Sequence, residues 1–438
     1  MMYRNWGRTV SFHPARLVYP QREEEIASYI NQAADQKKNL RVVGAGHSWT
    51  PLIQTDGVLL SLDRMQGLIS LLPTDELVTL WAGTRLHAAL SSLWQAGYSL
   101  ANQGDIDRQS IAGAFSTGTH GTGKAFGILA TQVAHYRFID GKGQIHDIYP
   151  DEKPELFRAL QVSLGLLGVI TQITLRVMPR YYLRLIKKVE PLEAVLEKSE
   201  MYAAQHRHFE FFWFPYSPLA LVKLTDISET PGRVSFWRRW LIDAVWENGA
   251  FWTLNKIAQV FPRRSASLCR FAGRNMTAEE RIDRAYRIFA SPRWVRFREM
   301  EYGVPAAVGP EVLREIRRWI EKHQPAVSFP IEYRYVQGDD IPLSPAQGED
   351  RIFIAVHMYY RMPYERYFRE IEAIFQSYAG RPHWGKMHTA SSEYLHRVYP
   401  HLSKFLQLRD ALDPEGVFLT PYLRKVLWGE KVSVSVGS

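Results

Sequence analysis

The chain of 438 residues holds a single cysteine, Cys269. A lone thiol excludes an internal disulfide framework and any cysteine-built metal cluster, and it fits a reducing compartment. No stretch reaches the roughly 20 consecutive apolar residues of a spanning helix. The start, Met1-Met2-Tyr3-Arg4-Asn5-Trp6-Gly7-Arg8, has no apolar run behind its charges and so lacks the form of a secretory signal. A cytoplasmic protein is expected. Internal repeats and low-complexity tracts are missing too. There is no HExxH, and His383 and His388 flank Trp384-Gly385-Lys386 at a spacing unlike that of a zinc helix, so no metal is expected. The net charge of +9 favours anionic partners. Its basic residues are scattered, however, apart from pairs such as Arg238-Arg239 and Arg263-Arg264, and they form no stripe of the kind a nucleic-acid face needs.

What is present is enough apolar sequence for two cores, because 438 residues exceed one ordinary domain. The amino-terminal part mixes short strands and helices. Residues 22–36 read as a helix opened by Glu23, Glu24 and Glu25, with Ile26, Ile30 and Ala33 as its apolar stripe. Strands follow at 40–43, 58–62 and 76–83, then a helix at 85–96, a hairpin over 136–145, a helix at 154–163 and a strand at 171–177. Pro179 marks the first boundary, so the first domain is 1–178. Beyond it the chain is richer in aromatics, as in Phe209-Glu210-Phe211-Phe212-Trp213-Phe214, and strands alternate with helices at 279–289 and 310–322. The reading is α+β, an antiparallel sheet carrying helices. Residues 236–260 are apolar but interrupted by charges. They are either a packed helical pair or a surface helix in weak contact with a membrane.

Two glycine-rich stretches stand out in the first domain: Val42-Val43-Gly44-Ala45-Gly46-His47-Ser48 and the segment from Ser110 to Gly123. Bare backbone in such turns comes close to a ligand and forms nests for phosphate. Two nests suit two linked phosphates, and His47 adds a reactive nitrogen, which together point to a flavin dinucleotide. Two other nucleotide motifs fail. Gly44-Ala45-Gly46 would need a small residue at position 49 to be a Rossmann fingerprint, and that residue is Trp49. Gly118, Gly123 and Lys124 have P-loop spacing, but Ala125 has no hydroxyl for magnesium.

Gly46-His47-Ser48, Gly104-Asp105-Ile106, Ala112-Gly113 with the run Thr117 to Gly123, and Gly165 with Gly168-Val169-Ile170 resemble the FAD domain of the vanillyl-alcohol oxidase superfamily. Glu332-Tyr333-Arg334, His383-Trp384-Gly385-Lys386 and Asp413-Pro414-Glu415-Gly416-Val417-Phe418 resemble the sugar-1,4-lactone oxidases and alditol oxidases. The resemblance implies a two-subdomain FAD-binding domain (1–178), an antiparallel-sheet cap over 179–408 that covers the flavin, and a segment 409–438 that returns to the FAD domain. It implies an oxidase that moves a hydride from the carbinol carbon of a gulono-, galactono- or arabinono-type 1,4-lactone to FAD N5, with dioxygen reoxidising the flavin to give peroxide. An alditol oxidase, or a dehydrogenase using another acceptor, is the alternative.

The resemblance also distributes roles. His47 stands where relatives attach the flavin covalently; otherwise it is a hydrogen-bonding loop histidine. Ser48 and the amides from Val43 through Gly44, Ala45 and Gly46 hold the pyrophosphate, with Ser110, Gly113, Thr117, Gly118 and Gly121 opposite. Val169 and Ile170 border the adenosine. Gly104, Asp105, His120 and His383 complete the cofactor set, with Gly104 on the oxygen-facing side. Glu332 and Arg334 share one face of a strand, either as a structural ion pair or with Arg334 holding the substrate oxygen. His357 either accepts the hydroxyl proton or is a satisfied core histidine. Lys386 stabilises the reduced flavin or lies at the surface.

Overall fold

The computed structural model describes residues 2–232, 249–290 and 295–430. Besides two-stranded ribbons, the first domain contains two small sheets. One is parallel, with Val58–Ser61 between Arg16–Val18 and Leu40–Val43. Helix Glu23–Asp35 crosses over between the outer strands. Three glutamates open it, favourable at the positive end of the helix dipole, and Ile26, Ile30 and Ala33 are its buried stripe. The other sheet is antiparallel, in the order Ile145–Ile148, Val133–Ile139, Val169–Arg176, Leu77–Trp81 and Leu68–Leu72. Leu40–Val43 delivers the chain to the loop 44–48, and the short helix Ile111–Phe115, capped by Ser110, lies against that loop.

The second domain is built on an eight-stranded sheet in which His208–Trp213, Ile331–Val336, Arg351–Tyr359 and Phe297–Pro305 are successive antiparallel neighbours. Side chains alternate across a strand. One face is therefore aromatic and aliphatic (Phe209, Phe211, Tyr333, Ile354) and packs with helices Leu192–Gln205, Gly309–His323 and Glu365–Ser377. The opposite face carries the charges.

The helix expected at 310–322 is present. The one expected at 279–289 is not: Glu279–Arg284 is an edge strand paired with Tyr182–Pro191, and only Ala285–Phe289 is helical. The charged residues of that segment suit a helix face as well as an exposed edge strand. The ladder decides, with Lys187–Glu279 and Arg184–Glu280 ion pairs, each 2.7 Å, across it. Of the stretch 236–260, residues 236–248 lie outside the described residues, and the remainder ends in helix Ala250–Val260. Among the described residues no helix is long and apolar enough to cross a membrane.

The chain returns to the first domain at its end. Leu395, Phe405, Phe418 and Leu427 are buried in the same core as Ile26 and Phe138, so helices Ser392–Val398 and Leu402–Leu412 already belong to the return, ahead of residue 409. Leu40 donates its N–H to the carbonyl of Val417 (2.8 Å), and the buried Arg41 guanidinium donates to the carbonyls of Leu164, Gly165 and Phe418. Asp413, fully buried, accepts from the amides of Val417 and Phe418 and from Arg409. Asp413→Ala strands the amides of Val417 and Phe418 and takes one of two carboxylates from the buried Arg409, which keeps Asp410. It should cost about 3 kcal/mol or more, read as a lower denaturation midpoint at unchanged slope; a change within error of zero would mean that this clasp carries no stability.

Candidate active site

The two subdomains enclose a cleft of 120 Å³, lined on one side by residues 43–48 and on the other by Ser110, Gly113, Thr117 and Ile170. Close packing demands the glycines. A Cβ on Gly44 would stand 2.0 Å from Ser110 Oγ; Gly46 has φ +67°, and its Cβ would lie 2.3 Å from the Tyr3 hydroxyl. The result is a bare backbone cradle, which fits a dinucleotide's phosphates. Three expected members sit elsewhere. Val169 is buried in its strand beside Ile139, Gly118 (φ +76°) packs on Pro345, and Gly121 borders a different cavity.

The cleft runs into a smaller inner pocket of 40 Å³ through His47, Ser48, Gln109 and Thr117, which line both. Gly104, Asp105, His120 and His383 surround this pocket, with Arg334 and Lys386. The His47 ring stacks on Trp6 with centroids 5.6 Å apart, and its buried Nδ1 has no hydrogen-bond partner among the described residues. Burial, followed by the charges of Arg85, Lys386 and Arg108, pushes its pKa down to about 4. A neutral imidazole with an unengaged nitrogen is equipped as a nucleophile. His383, also depressed by burial, to about 3, accepts the amide of Gly385 at Nδ1.

The charged sheet face closes the pocket. In one cross-strand row Lys187, Lys223, Glu210, Arg334 and Phe353 lie opposite one another; in the next stand Phe212, Glu332, Ala355 and Glu301. Arg334 pairs with Glu332 (2.6 Å), Glu210 (2.9 Å) and Asp105 (3.1 Å), the last from the first domain. These carboxylates outweigh its burial and hold its pKa well above the usual guanidinium value. Lys386 is paired with Glu299, lies 3.9 Å from Glu301 and sits over the Trp49 ring at 4.8 Å. Burial alone would lower its pKa, but the two carboxylates raise it. His120 donates from Nδ1 to the Gly121 carbonyl (2.9 Å) and turns Nε2 to Glu301 (3.3 Å). His357 donates to the Pro330 carbonyl (3.0 Å), with Nε2 3.5 Å from Glu299 and 3.8 Å from Glu332. Neither His357 nor Glu332 lines the cleft or the inner pocket.

Sequence reasoning missed Glu210, Lys223, Glu299 and Glu301. A signal existed for the last two: Arg298-Glu299-Met300-Glu301-Tyr302 alternates charge with bulk, as Glu332-Tyr333-Arg334 does. A third and larger cavity, of 740 Å³, meets the inner pocket at Asp105 and Arg334.

Comparison with known proteins places this geometry. A family model described as D-arabinono-1,4-lactone oxidase matches residues 173–426, more than half of the chain. The chain belongs to that family. An FAD-binding-domain model matches residues 14–149, over the cleft's first wall. This lactone-oxidase family member is thus an FAD-dependent oxidoreductase, and the residues of the cleft fit the cofactor. It is 38% identical to L-gulono-1,4-lactone dehydrogenase of Mycobacterium tuberculosis, over 97% of this chain and 99% of that one. It is 28% identical to L-gulonolactone oxidase of Mus musculus over 98% of each. The fold resembles a solvent-stable cholesterol oxidase (TM-score 0.82, 16% identity, 97% of each chain) and cholesterol oxidase from B. sterolicum (TM-score 0.80, 16% identity, 97% of this chain and 96% of that one). The expected sugar-1,4-lactone oxidase family and the expected fold, an FAD-binding domain with a sheet-rich cap, are borne out.

Glu210 offers a test of the charge array. Burial would raise its pKa, but Lys223 and Arg334 hold it at about 2, against 4.5 for an ordinary glutamate. The folded value lies below the unfolded one, so the stabilisation is complete above pH 4.5 and fades as pH falls toward 2. Glu210→Gln should remove up to about 3 kcal/mol at neutral pH. The gap between the two unfolding curves should narrow below pH 4.5; a gap independent of pH would contradict the assignment.

Proposed function

We propose that the protein oxidises the carbinol carbon of a sugar 1,4-lactone of the gulono, galactono or arabinono type. The observation that carries this reading is the meeting of His47, Lys386 and Arg334 around one pocket. Val43 to Ser48 with Ser110, Gly113 and Thr117 hold the FAD pyrophosphate, Ile170 borders the adenosine part, and His47 is the point of covalent attachment. Bound there, the flavin supplies the hydride acceptor. Lys386 places a buried positive charge beside it. The ion pairs of Arg334 use Nε and Nη2. Nη1 is the arm assigned to the substrate oxygen, where it stabilises developing alkoxide. The hydroxyl proton passes to the His120–Glu301 pair, because both residues line the inner pocket and His357 does not. Glu332 and His357 fix the arginine and its carboxylates from behind.

Dioxygen is the acceptor in this reading. Gly104 lines the inner pocket, and a Cβ there would come 3.1 Å from the His120 carbonyl, so the glycine keeps that spot clear. The cytoplasmic reading extends to weak membrane-surface contact. Trp252, Val260, Phe261 and Phe271 are exposed on helices Ala250–Val260 and Ser265–Arg274 and the turn between them, beside the exposed Arg263 and Arg264.

A peroxide assay across aldonolactones and alditols, run in air and with a dye under nitrogen, is the decisive experiment. Lactones should bleach the flavin and yield peroxide. Turnover of alditols alone would install the alternative, and bleaching without peroxide would remove dioxygen as acceptor. Arg334→Lys keeps the charge but loses the planar fork; kcat for the lactone should fall about 100-fold with flavin content unchanged. His47→Ala should leave a protein whose yellow colour is lost to the supernatant on acid precipitation, whereas colour stays with the native chain.

A further inference from the structure

The loop that carries His47 is gripped by an earlier stretch of chain. Tyr3–Arg4 pairs with Ser11–Phe12 as a two-stranded ribbon, and the turn between these strands is bonded to residues 46–49. Asn5, 4% exposed, donates through Nδ2 to the Ser48 carbonyl (2.8 Å) and accepts the Val10 amide at Oδ1 (3.0 Å). Thr9 Oγ1 donates to the Trp49 carbonyl (2.8 Å), and the Trp6 amide donates to the Gly46 carbonyl (2.8 Å). The approach is close enough that a Cβ on Gly7 would stand 2.8 Å from the Trp49 ring.

What the turn brings to the loop is the indole of Trp6. It stacks on the His47 ring, with centroids 5.6 Å apart and planes 25° apart. The indole is itself braced edge-on by Trp49 (5.8 Å, 85°) and by Phe297 of the cap (5.5 Å, 73°). A histidine ring is commonly oriented by a hydrogen bond at one nitrogen. The His47 ring forms none among the described residues. The torsion that turns an imidazole about its Cβ–Cγ bond is broad, so a ring without hydrogen bonds takes its plane from whatever lies against its face. Trp6 supplies that face.

We propose that Trp6 is a positioning residue for covalent flavin attachment: its indole holds the His47 imidazole in the plane from which a ring nitrogen meets the 8α-methyl carbon of FAD. The inference rests on the reading of His47 as the attachment point. In that step an N–C bond forms, while a C–H bond of the methyl group and the imidazole N–H bond break. The two protons and two electrons released pass to the flavin ring and then to dioxygen, which leaves as hydrogen peroxide. Trp6 lines neither the cleft nor the inner pocket, so it acts through His47. Because Phe297 belongs to the cap, the ring is fully braced only when both domains are in place.

The test uses the full chain, produced under riboflavin starvation and then given FAD. Attachment is read over time as flavin fluorescence that stays with the chain on an acid gel, and reversible binding as the absorbance change before denaturation. Trp6→Leu keeps an apolar side chain but removes the flat face. It should bind FAD as the native chain does and attach it about tenfold more slowly. Trp6→Phe restores a flat ring and should recover most of the rate. In His47→Ala, where no bond forms, adding Trp6→Leu should leave the affinity for FAD unchanged within about twofold. Attachment by Trp6→Leu at the native rate overturns the proposal, and so does a Phe variant no faster than the Leu one. A Trp6→Leu chain that takes up no FAD, or whose affinity falls further than that in the His47→Ala background, overturns it too, because the turn would then serve the fold or the cofactor wall. A native chain that loses its colour on acid precipitation removes His47 as the attachment point and the role of Trp6 with it. Native attachment beside an indifferent Trp6→Leu removes only the role of Trp6.

Discussion

The arrangement depends on one buried cation. Arg334 leaves the central strand of the cap sheet and is met by Glu210 from the neighbouring strand, Glu332 from its own and Asp105 from the loop of the first domain. A guanidinium out of water is tolerated only with such a surround, and its removal would take the shared cation from three carboxylates. Because Asp105 belongs to the other domain, the same contact that neutralises the charge also ties the cap to the cofactor domain. Backbone bonds continue that seam: Trp49 N–H to the Gly385 carbonyl (2.7 Å) and Gly123 N–H to the Tyr335 carbonyl (2.8 Å).

From this follows a division of labour between the two walls of the inner pocket. The cofactor domain offers backbone and small side chains, close enough that Gly44 could not bear a methyl group. The cap offers charge, spaced by the two-residue period of its strands and brought opposite by register. Lys386 enters from a turn after the sheet and takes up Glu299 and Glu301 much as Arg334 takes up its own carboxylates. Burial raises the cost of every such charge, and the pairing both offsets it and fixes each side chain's direction. The carboxyl-terminal return completes the frame, because Asp413 and Arg41 anchor it beneath the strand that leads into the loop of His47.

The two sides of the cap differ in a way that bears on what enters. The inner pocket is small and charged; the adjoining cavity is larger, and its walls mix aromatic and aliphatic side chains with Lys187, Lys223, Glu210 and Arg281.

Much of this was legible along the chain. The glycine loops, the failure of the Rossmann and P-loop patterns at Trp49 and Ala125, the shared face of Glu332 and Arg334, and the helices at 23–35 and 309–323 all follow from local rules of period, turn and cap. Those rules act between residues a few positions apart, so sequence alone carries them. Where a segment's local preference was divided, as at 279–284, the neighbouring strand decided, and the expected helix became an edge of the sheet. The partners of Arg334 and Lys386, the placing of His357 behind the pocket and the larger cavity depend on strands far apart in the chain being brought into register. Only the tertiary structure decides these, because burial and charge pairing are properties of the assembled faces and not of any one segment.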